Sequence, residues 1–148
     1  MVTVRFAVLF FKENLIKTKE LIEQEHEVTV AIYKCNVSVE EEVTRILAQV
    51  RNEFKKSVEI LVNNAGVVNC LPFQELEPKS IKRTFEVNVF AHFWTIKCVL
   101  PFMKNKNSGH IVSISSIAGH MGNANLTDYW LVLTPVHSVS DWQRGPLT

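Results

Sequence analysis

The sequence lacks an excess of charge of either sign. Among its 148 residues, 16 lysines and arginines stand against 15 aspartates and glutamates, which gives a formal net charge of +1. Proteins that bind nucleic acid usually carry a basic patch or stripe, because the phosphate backbone attracts it electrostatically. No basic stripe interleaved with aromatic residues occurs in this sequence. We therefore expect no nucleic-acid partner.

Cysteine is scarce as well. The three cysteines, Cys35, Cys70 and Cys98, are an odd number and show no C-x-x-C spacing. Disulfide frameworks and structural zinc sites need paired or closely spaced cysteines. The sequence therefore predicts reduced thiols, without a disulfide framework and without a metal site.

Long apolar runs are also absent. The N-terminal run from Val2 to Phe11 is about ten residues long, whereas a transmembrane helix needs about 20. It has no small-residue cleavage site of the kind that follows a secretory signal. We interpret this run as a strand, and the lack of a transmembrane segment leaves a cytoplasmic location open. The apolar fraction of 47% and the charged fraction of 21% are ordinary values for a globular protein.

The sequence does contain an alternation of strand-like and helix-like segments. Strands are predicted at 2–11, 27–34, 58–62 and 110–114, and helices at 14–24, 38–54 and 79–104. This order is typical of βαβ units, in which helices cover both faces of a parallel sheet. Ser38 stands three residues before Glu41, which predicts a capping box at the start of the second helix. We expect an α/β fold with a doubly wound parallel sheet, in one domain over residues 1–129.

The third predicted strand ends in a group of two amides and two small residues, Asn63, Asn64, Ala65 and Gly66. Small residues let the backbone bend sharply and let a flat ligand approach it closely. A polar turn after a buried strand is the alternative interpretation, and the four residues alone do not decide between the two.

A hydroxyl and a phenol follow the fourth predicted strand. This strand runs into Ser115 and Ser116, and Tyr129 lies thirteen residues after Ser116. In the long helix between the third and fourth strands, Asn88 falls on an apolar stripe, where burial of a carboxamide requires hydrogen-bond partners. A core asparagine without a functional role remains the alternative for Asn88.

These motifs, in this order, resemble the short-chain dehydrogenase/reductase family. The resemblance covers about residues 7–129 and implies a Rossmann-like fold that binds NAD or NADP. From Leu71 to His120 the sequence is most similar to the branch with hydroxysteroid and retinol dehydrogenases. Members of that branch are commonly attached to the endoplasmic reticulum or to lipid droplets. The substrate implied is a small lipid-like alcohol or ketone of the steroid or retinoid class.

The resemblance also implies roles for individual residues. Tyr129 would be the general acid and base, Ser116 would orient the substrate, and the backbone carbonyl of Asn88 would hold a water in the proton route. The residues expected to contact the cofactor are Asn36 and Val37, near the adenine, and Asn63, Asn64, Ala65 and Gly66.

Two features of the family are missing. The family has a lysine four residues after its tyrosine, one helical turn on, where the charge favours the phenolate; this chain has Leu133 there. A phenol without such a cation has a pKa near 10, which is on the order of 4 kcal/mol against the phenolate at neutral pH. None of the five glycines precedes Gly66, so the family's first strand and glycine-rich diphosphate turn have no counterpart. We expect weakened cofactor binding and severely impaired turnover.

Residues 130–148 show neither strand alternation nor a helical period, and they do not resemble the family. We hypothesise that this divergent tail reflects an altered transcript or gene structure, as in a truncated isoform. Two functions stay open. One is an oxidoreductase of the family, and the other is a catalytically inactive fragment that forms a homodimer or pairs with full-length relatives through the long helix. Phe90, Phe93 and Trp94 would support the pairing, unless they pack on the sheet.

Overall fold

Two pairs of parallel strands organise the described part of the molecule. The computed structural model describes residues 3–9, 12–119 and 124–133. The chain divides after Lys56 into two units, and each unit contains one strand pair. The predicted parallel pairing is therefore present in both units.

In the first unit a helix connects the two strands. β1 (Thr3–Leu9) is followed by α1 (Lys12–Glu25), β2 (Val28–Lys34) and α2 (Glu40–Phe54). The strands pair in parallel, from Thr3 opposite Val28 to Leu9 opposite Lys34. Parallel neighbours need a crossover connection, and α1 provides it. The predicted bounds agree with the observed ones to within about two residues, and Phe10 and Phe11 lie outside the described residues.

α2 buries three apolar residues that recur at helical spacing. Val43, Ile46 and Val50 are all less than 5% exposed. The buried Tyr33 of β2 donates a hydrogen bond to the Glu53 carboxylate of α2 at 2.7 Å. Burial, together with the Glu53 hydrogen bond and charge, raises the pKa of the Tyr33 phenol to about 12.

The predicted capping box is wrong. α2 begins at Glu40 after Val39, whose side chain makes no capping bond. Ser38 instead donates its backbone N–H and its hydroxyl to Asn36 Oδ1, at 3.2 and 2.8 Å. The Asn36 side chain therefore forms a local turn with Ser38. This turn competes with the capping box for the serine, as local hydrogen bonds of short polar side chains often do before a helix. The Asn36 backbone N–H donates to Glu42 Oε2 at 2.8 Å, which fixes this turn to the first turn of α2.

In the second unit a 3₁₀ turn (Phe73–Glu75) and three longer helical segments connect the parallel strands β3 (Ile60–Asn63) and β4 (His110–Ser113). These segments are α3 (Pro78–Phe85), a π-helical segment (Glu86–Phe90) and α4 (Ala91–Lys106). A 3₁₀ turn (Ile117–Gly119) and α5 (Thr127–Leu133) follow β4. The sequence predicts a single helix over 79–104; the structure instead interrupts it with the π-helical segment that contains Asn88. Wider turns of this kind are rare and occur frequently at functional sites.

The connection from α4 to β4 brings the backbone close to a buried side chain. α4 ends before Asn107, which has a left-handed conformation with φ of 48°. A Cβ atom at Gly109 would lie only 2.4 Å from Cγ of the buried Met103. A larger residue at position 109 would therefore displace the Met103 side chain, and β4 starts at the next residue.

Candidate active site

An open cleft lies where β3 and β4 end, entirely within the second unit. Its volume is about 270 Å³. The residues that line it are Asn64, Ala65, Gly66, Val67, Val68, Asn88, His92, Ile114, Ser115 and Tyr129. The carboxyl ends of parallel strands are the usual place for ligands in open α/β sheets. The cleft thus brings together most of the site residues that the sequence predicts for the second unit.

The loop after β3 supplies three of its four predicted residues to the cleft. Asn64, Ala65 and Gly66 line it, whereas Asn63 is the last residue of β3 and is buried. Asn63 Oδ1 accepts a hydrogen bond from the Thr95 hydroxyl at 2.7 Å, and its backbone carbonyl accepts one from Ile114 at 2.8 Å. Asn63 therefore holds α4 and the end of β4 together beneath the cleft.

Asn88 fixes the loop from the opposite side. Its Oδ1 accepts from the backbone N–H of Val67 at 2.8 Å, and its Nδ2 donates to the Val67 carbonyl at 2.9 Å. Both bonds form within the interior, since Asn88 is only 4% exposed. The carboxamide is thus satisfied by one backbone residue, as burial of a polar group requires. The sequence predicts hydrogen-bond partners for the Asn88 side chain, and in the structure both partners are backbone groups of Val67.

The two serines after β4 have different surroundings. Ser115 is exposed and lines the cleft, whereas Ser116 is half-buried and is not among the lining residues. The Ser116 hydroxyl oxygen accepts from the backbone N–H of Ala118 at 3.2 Å, and the Ser116 carbonyl accepts from Gly119. Ser116 therefore caps the 3₁₀ turn. Ser115 was missed by sequence reasoning, although it is adjacent to the predicted serine.

Tyr129 reaches the cleft from α5. Its half-buried ring packs with Phe85 and Val89 against the buried pair Ala118 and Val132. These contacts pack the Tyr129 ring against the 3₁₀ turn that contains Ala118 and against Val132 of α5. Leu133 is the last residue of α5, four positions after Tyr129. No cationic side chain is found among the residues that line the cleft in the described part of the chain.

His92 is a further lining residue that sequence reasoning did not select. Burial lowers the pKa of its imidazole from the ordinary value, because a low-dielectric environment disfavours the charged ring. His92 is therefore neutral at pH 7 and offers one donor and one acceptor to a ligand. Its position four residues after Asn88, on the same helical stripe, was the available signal.

Asn36 and Val37 belong to the first unit, where Val37 is buried and Asn36 is half-buried. The Asn36 carboxamide oxygen is occupied by Ser38, as described above. Within the described residues, no hydrogen bond from the Asn36 side-chain nitrogen is found. The expected contact of Asn36 and Val37 with an adenine stays a prediction.

Metal-binding clusters and membrane-spanning helices are both absent from residues 3–9, 12–119 and 124–133. No group of three or more His, Cys, Asp or Glu side chains in this part of the chain is placed to hold a metal ion. Nor does this part contain a helix whose length and apolarity would allow it to cross a lipid bilayer.

Residues 3–130 match the family model for short chain dehydrogenase. The chain belongs to the short chain dehydrogenase family. The match includes the loop after β3, Asn88, both serines and Tyr129, so the family resemblance that these motifs carry is confirmed.

Several proteins similar to this chain are named as hydroxysteroid or retinol dehydrogenases. The chain is 42% identical over 118 residues to short-chain dehydrogenase/reductase family 16C member 6 of Bos taurus, covering 80% of this chain and 37% of that protein. It is 42% identical over 102 residues to human 17-beta-hydroxysteroid dehydrogenase 13, covering 69% and 34%. It is 40% identical over 118 residues to epidermal retinol dehydrogenase 2 of Mus musculus, covering 80% and 38%. The chain thus spans about a third of the length of these relatives, and the resemblance to their branch is confirmed.

Solved structures of short chain dehydrogenases share the fold. An NAD⁺-bound xylitol dehydrogenase superposes with a TM-score of 0.81 at 27% identity, over 90% of this chain and 51% of that chain. A short-chain dehydrogenase from Streptomyces avermitilis gives a TM-score of 0.74 at 24% identity, over 87% and 46%. The prediction of a partial Rossmann-like α/β fold is confirmed.

Proposed function

We propose that this chain carries the nicotinamide and substrate site of an NAD(P)-dependent oxidoreductase that acts on CH–OH groups of lipid-like alcohols, and that its own turnover is impaired. One observation carries this proposal. Tyr129 lines the same cleft as Asn64, Ala65 and Gly66, although more than 60 residues separate them in the sequence.

The lining fits one end of a dinucleotide. The cleft volume of about 270 Å³ is slightly below the range of ordinary small-molecule sites, roughly 300–1,000 Å³. It suits a nicotinamide ring beside part of a substrate, with the small residues Ala65 and Gly66 facing the ring. Asn64 would supply hydrogen bonds to the carboxamide side of the cofactor. NAD or NADP, when bound, supplies the hydride acceptor or donor.

The chain's own residues would handle the proton and orient the substrate. Tyr129 would hold or release a proton at its phenol oxygen, opposite the substrate oxygen. A serine hydroxyl would donate to that oxygen without introducing a charge. Ser116 already accepts a hydrogen bond from Ala118, so its own proton remains for the substrate. Ser115, which lines the cleft, is the alternative donor.

The apolar wall of the cleft supports a lipid-like substrate. Val68 and Ile114 line the cleft and are each about half exposed, at 47% and 50%. Ile117, in the adjacent turn, is 74% exposed. Burial of such side chains against an apolar ligand is favourable, at roughly 25 cal/mol per Å². The steroid and retinol names of the similar proteins agree with this substrate class.

We expect impaired turnover because the described lining of the cleft holds no cation that would stabilise the Tyr129 phenolate. A phenol performs acid and base chemistry at neutral pH only when a nearby cation or donor stabilises the phenolate. The described cleft lining offers neutral groups, and position 133 holds leucine instead of the family's lysine.

Turnover of retinol or a steroid alcohol by the full chain, with NAD and with NADP, tests this proposal. We expect slow turnover that Tyr129→Phe abolishes and that the matched variant Tyr33→Phe, in the first unit, leaves unchanged. Leu133→Lys should raise the rate by roughly tenfold or more, because it restores a cation beside the phenol. In parallel, NADH and NADPH are titrated by fluorescence transfer from tryptophan. Absence of saturable binding, or turnover that Tyr129→Phe leaves intact, would refute the proposal.

A second function is favoured by aromatic residues on the helical connection. Phe90 and Phe93 are exposed, at 46% and 62%, and the Trp94 ring lies 6.4 Å from the Phe90 ring. Such a surface would let the chain pair with a second copy or with a full-length relative without catalysing a reaction. Size-exclusion chromatography of the chain, alone and mixed with a full-length relative, tests this. Phe93→Asp should abolish pairing, and a monomeric wild-type chain that captures no relative would contradict it.

A further inference from the structure

A buried polar cluster joins three segments of the second unit next to Tyr129. The Thr84 hydroxyl of α3 lies 2.6 Å from Asp128 Oδ2 of α5, and Asn69 Nδ2, in the loop after β3, lies 2.7 Å from the same oxygen. Asn69 Nδ2 also lies 3.1 Å from Thr84 Oγ1. Thr84 is fully buried, and Asp128 is only 4% exposed. We refer to Asn69, Thr84 and Asp128 as the polar anchor.

The carboxylate is the centre of this cluster. The single Thr84 proton has two acceptors within reach, Asp128 Oδ2 at 2.6 Å and the Ser80 carbonyl at 3.1 Å. The shorter distance favours the carboxylate, because hydrogen bonds to charged acceptors are shorter and stronger than neutral ones. Asp128 Oδ1 is buried without a partner among the described residues. The described hydrogen bonds of the Asp128 side chain therefore all converge on one oxygen, and they come from Thr84 and Asn69.

Tyr129 is the residue after Asp128, so the position of its ring depends on where α5 is held. The described part of α5 comprises seven residues, and a helical segment of this length has little stability of its own. The apolar contacts of the Tyr129 ring with Ala118 and Val132 are non-directional. The polar anchor supplies the directional contacts, because its hydrogen bonds have defined lengths and angles.

We propose that Asp128 is a positioning residue, held by Thr84 and Asn69, that fixes the orientation of Tyr129 in the cleft. The role of this orientation in catalysis rests on the proposed function. The orientation itself is a property of the folded chain and can be measured without cofactor or substrate.

The chain has only two tyrosines, Tyr33 and Tyr129, so selective labelling tests the proposal directly. The full chain labelled with ¹³C at the tyrosine ζ carbon should give two NMR signals, and Tyr33 in the first unit serves as the internal reference. Thr84→Val keeps the shape of the side chain and removes the hydroxyl. We expect it to shift the Tyr129 signal toward that of the unfolded chain, or to broaden it, and to leave the Tyr33 signal in place.

Thr84→Ser is the matched control, because it keeps the hydroxyl and removes a methyl group. It should retain the wild-type Tyr129 signal. Asn69→Ala removes the second donor from a half-buried loop position and should shift the Tyr129 signal in the same direction as Thr84→Val, even if Thr84→Val fails to fold. A Tyr129 signal unchanged in Asn69→Ala and Thr84→Val, or changed as much by Thr84→Ser, would overturn the proposal. If the wild-type chain binds no cofactor, that result counts against the proposed function, but it does not contradict the positioning role of Asp128.

Discussion

The Asn88 side chain pairs with both backbone polar groups of Val67, through an accepted bond of 2.8 Å and a donated bond of 2.9 Å. This pairing reproduces the two-bond pattern of a peptide group and ties the π-helical segment to the loop that follows β3. The position of the loop, and with it one wall of the cleft, depends on a side chain 21 residues away.

Replacement of Asn88 should therefore destabilise the second unit. Asn88→Ala removes both bonds and leaves the Val67 N–H and C=O without partners, which should lower the free energy of unfolding by about 2–4 kcal/mol. Urea unfolding followed by tryptophan fluorescence measures this, since the first unit, residues 1–56, contains no tryptophan that would obscure the signals of Trp94 and Trp130 in the second unit. Asn88→Asp keeps the acceptor but places an oxygen against the Val67 carbonyl, so it should also destabilise. A loss below about 0.5 kcal/mol in both variants would contradict the described pairing.

His92 should make the stability of the second unit depend on pH. Burial lowers the pKa of the folded-state imidazole below its ordinary value, so the unfolded chain binds the proton more tightly. The neutral ring contributes its full stability at pH values above the pKa of histidine in the unfolded chain, near 6.5. This contribution is lost as the pH falls from there through the lowered pKa of the folded chain. Urea midpoints at pH 7.5 and pH 5.5 should differ more for the wild type than for His92→Asn. His110→Asn, which changes an exposed histidine of the same unit, is the control, and an equal pH response in all three proteins would refute the prediction.

Two glycines of the second unit should respond differently to alanine. At Gly109 a new Cβ would lie 2.4–2.7 Å from three side-chain atoms of Met103, whereas at Gly66 the nearest contact is Asn88 Oδ1 at an ordinary 3.6 Å. Gly109→Ala should cost about 1–3 kcal/mol, the usual range for overpacking, and Gly66→Ala should cost less. A double-mutant cycle with Met103→Ala should show a positive coupling, since the smaller side chain removes the clash. Equal losses for the two glycine variants, without coupling, would be inconsistent with this contact.

The cysteines should react with alkylating reagents in a defined order. Cys35 is buried, and burial, with a further contribution from the Glu42 charge that Arg45 partly offsets, raises the pKa of its thiol to about 11. Because the thiolate is the reactive form, only about one Cys35 in a thousand would be ionised at pH 8. Cys70 is exposed. Iodoacetamide labelling at pH 8, read by peptide mass spectrometry, should modify Cys70 well before Cys35, and unfolding in urea should remove the difference. Faster labelling of Cys35 in the folded chain would show that its described environment is wrong.

The polar anchor and the turn before α2 contain hydrogen bonds that local sequence patterns do not predict. Ser38 and Glu41 have the spacing of a capping box, yet Asn36 binds the serine, because two local arrangements of similar energy compete for one hydroxyl. Asp128 and Thr84 are 44 residues apart, and nothing in their own neighbourhoods predicts a 2.6 Å contact. Ser115 and Ser116 are adjacent and identical in type, so their sequence positions do not show which one lines the cleft. In the structure Ser116 caps the 3₁₀ turn, and Ser115 lines the cleft.

By itself, the sequence determined the order of strands and helices, their parallel pairing and the family, because apolar periodicity and short motifs are local properties of the chain. It also predicted, through the motifs they form, that the loop from Asn64 to Gly66 lies close to Tyr129, and the structure shows that they line one cleft. The tertiary structure alone decided that Val67 partners Asn88, that His92 faces the cleft and that Asp128 is anchored by Thr84 and Asn69. Those relationships depend on which buried donors and acceptors meet after α3, α4 and α5 have packed, and hydrogen-bond geometry between distant segments leaves no periodic trace in the sequence.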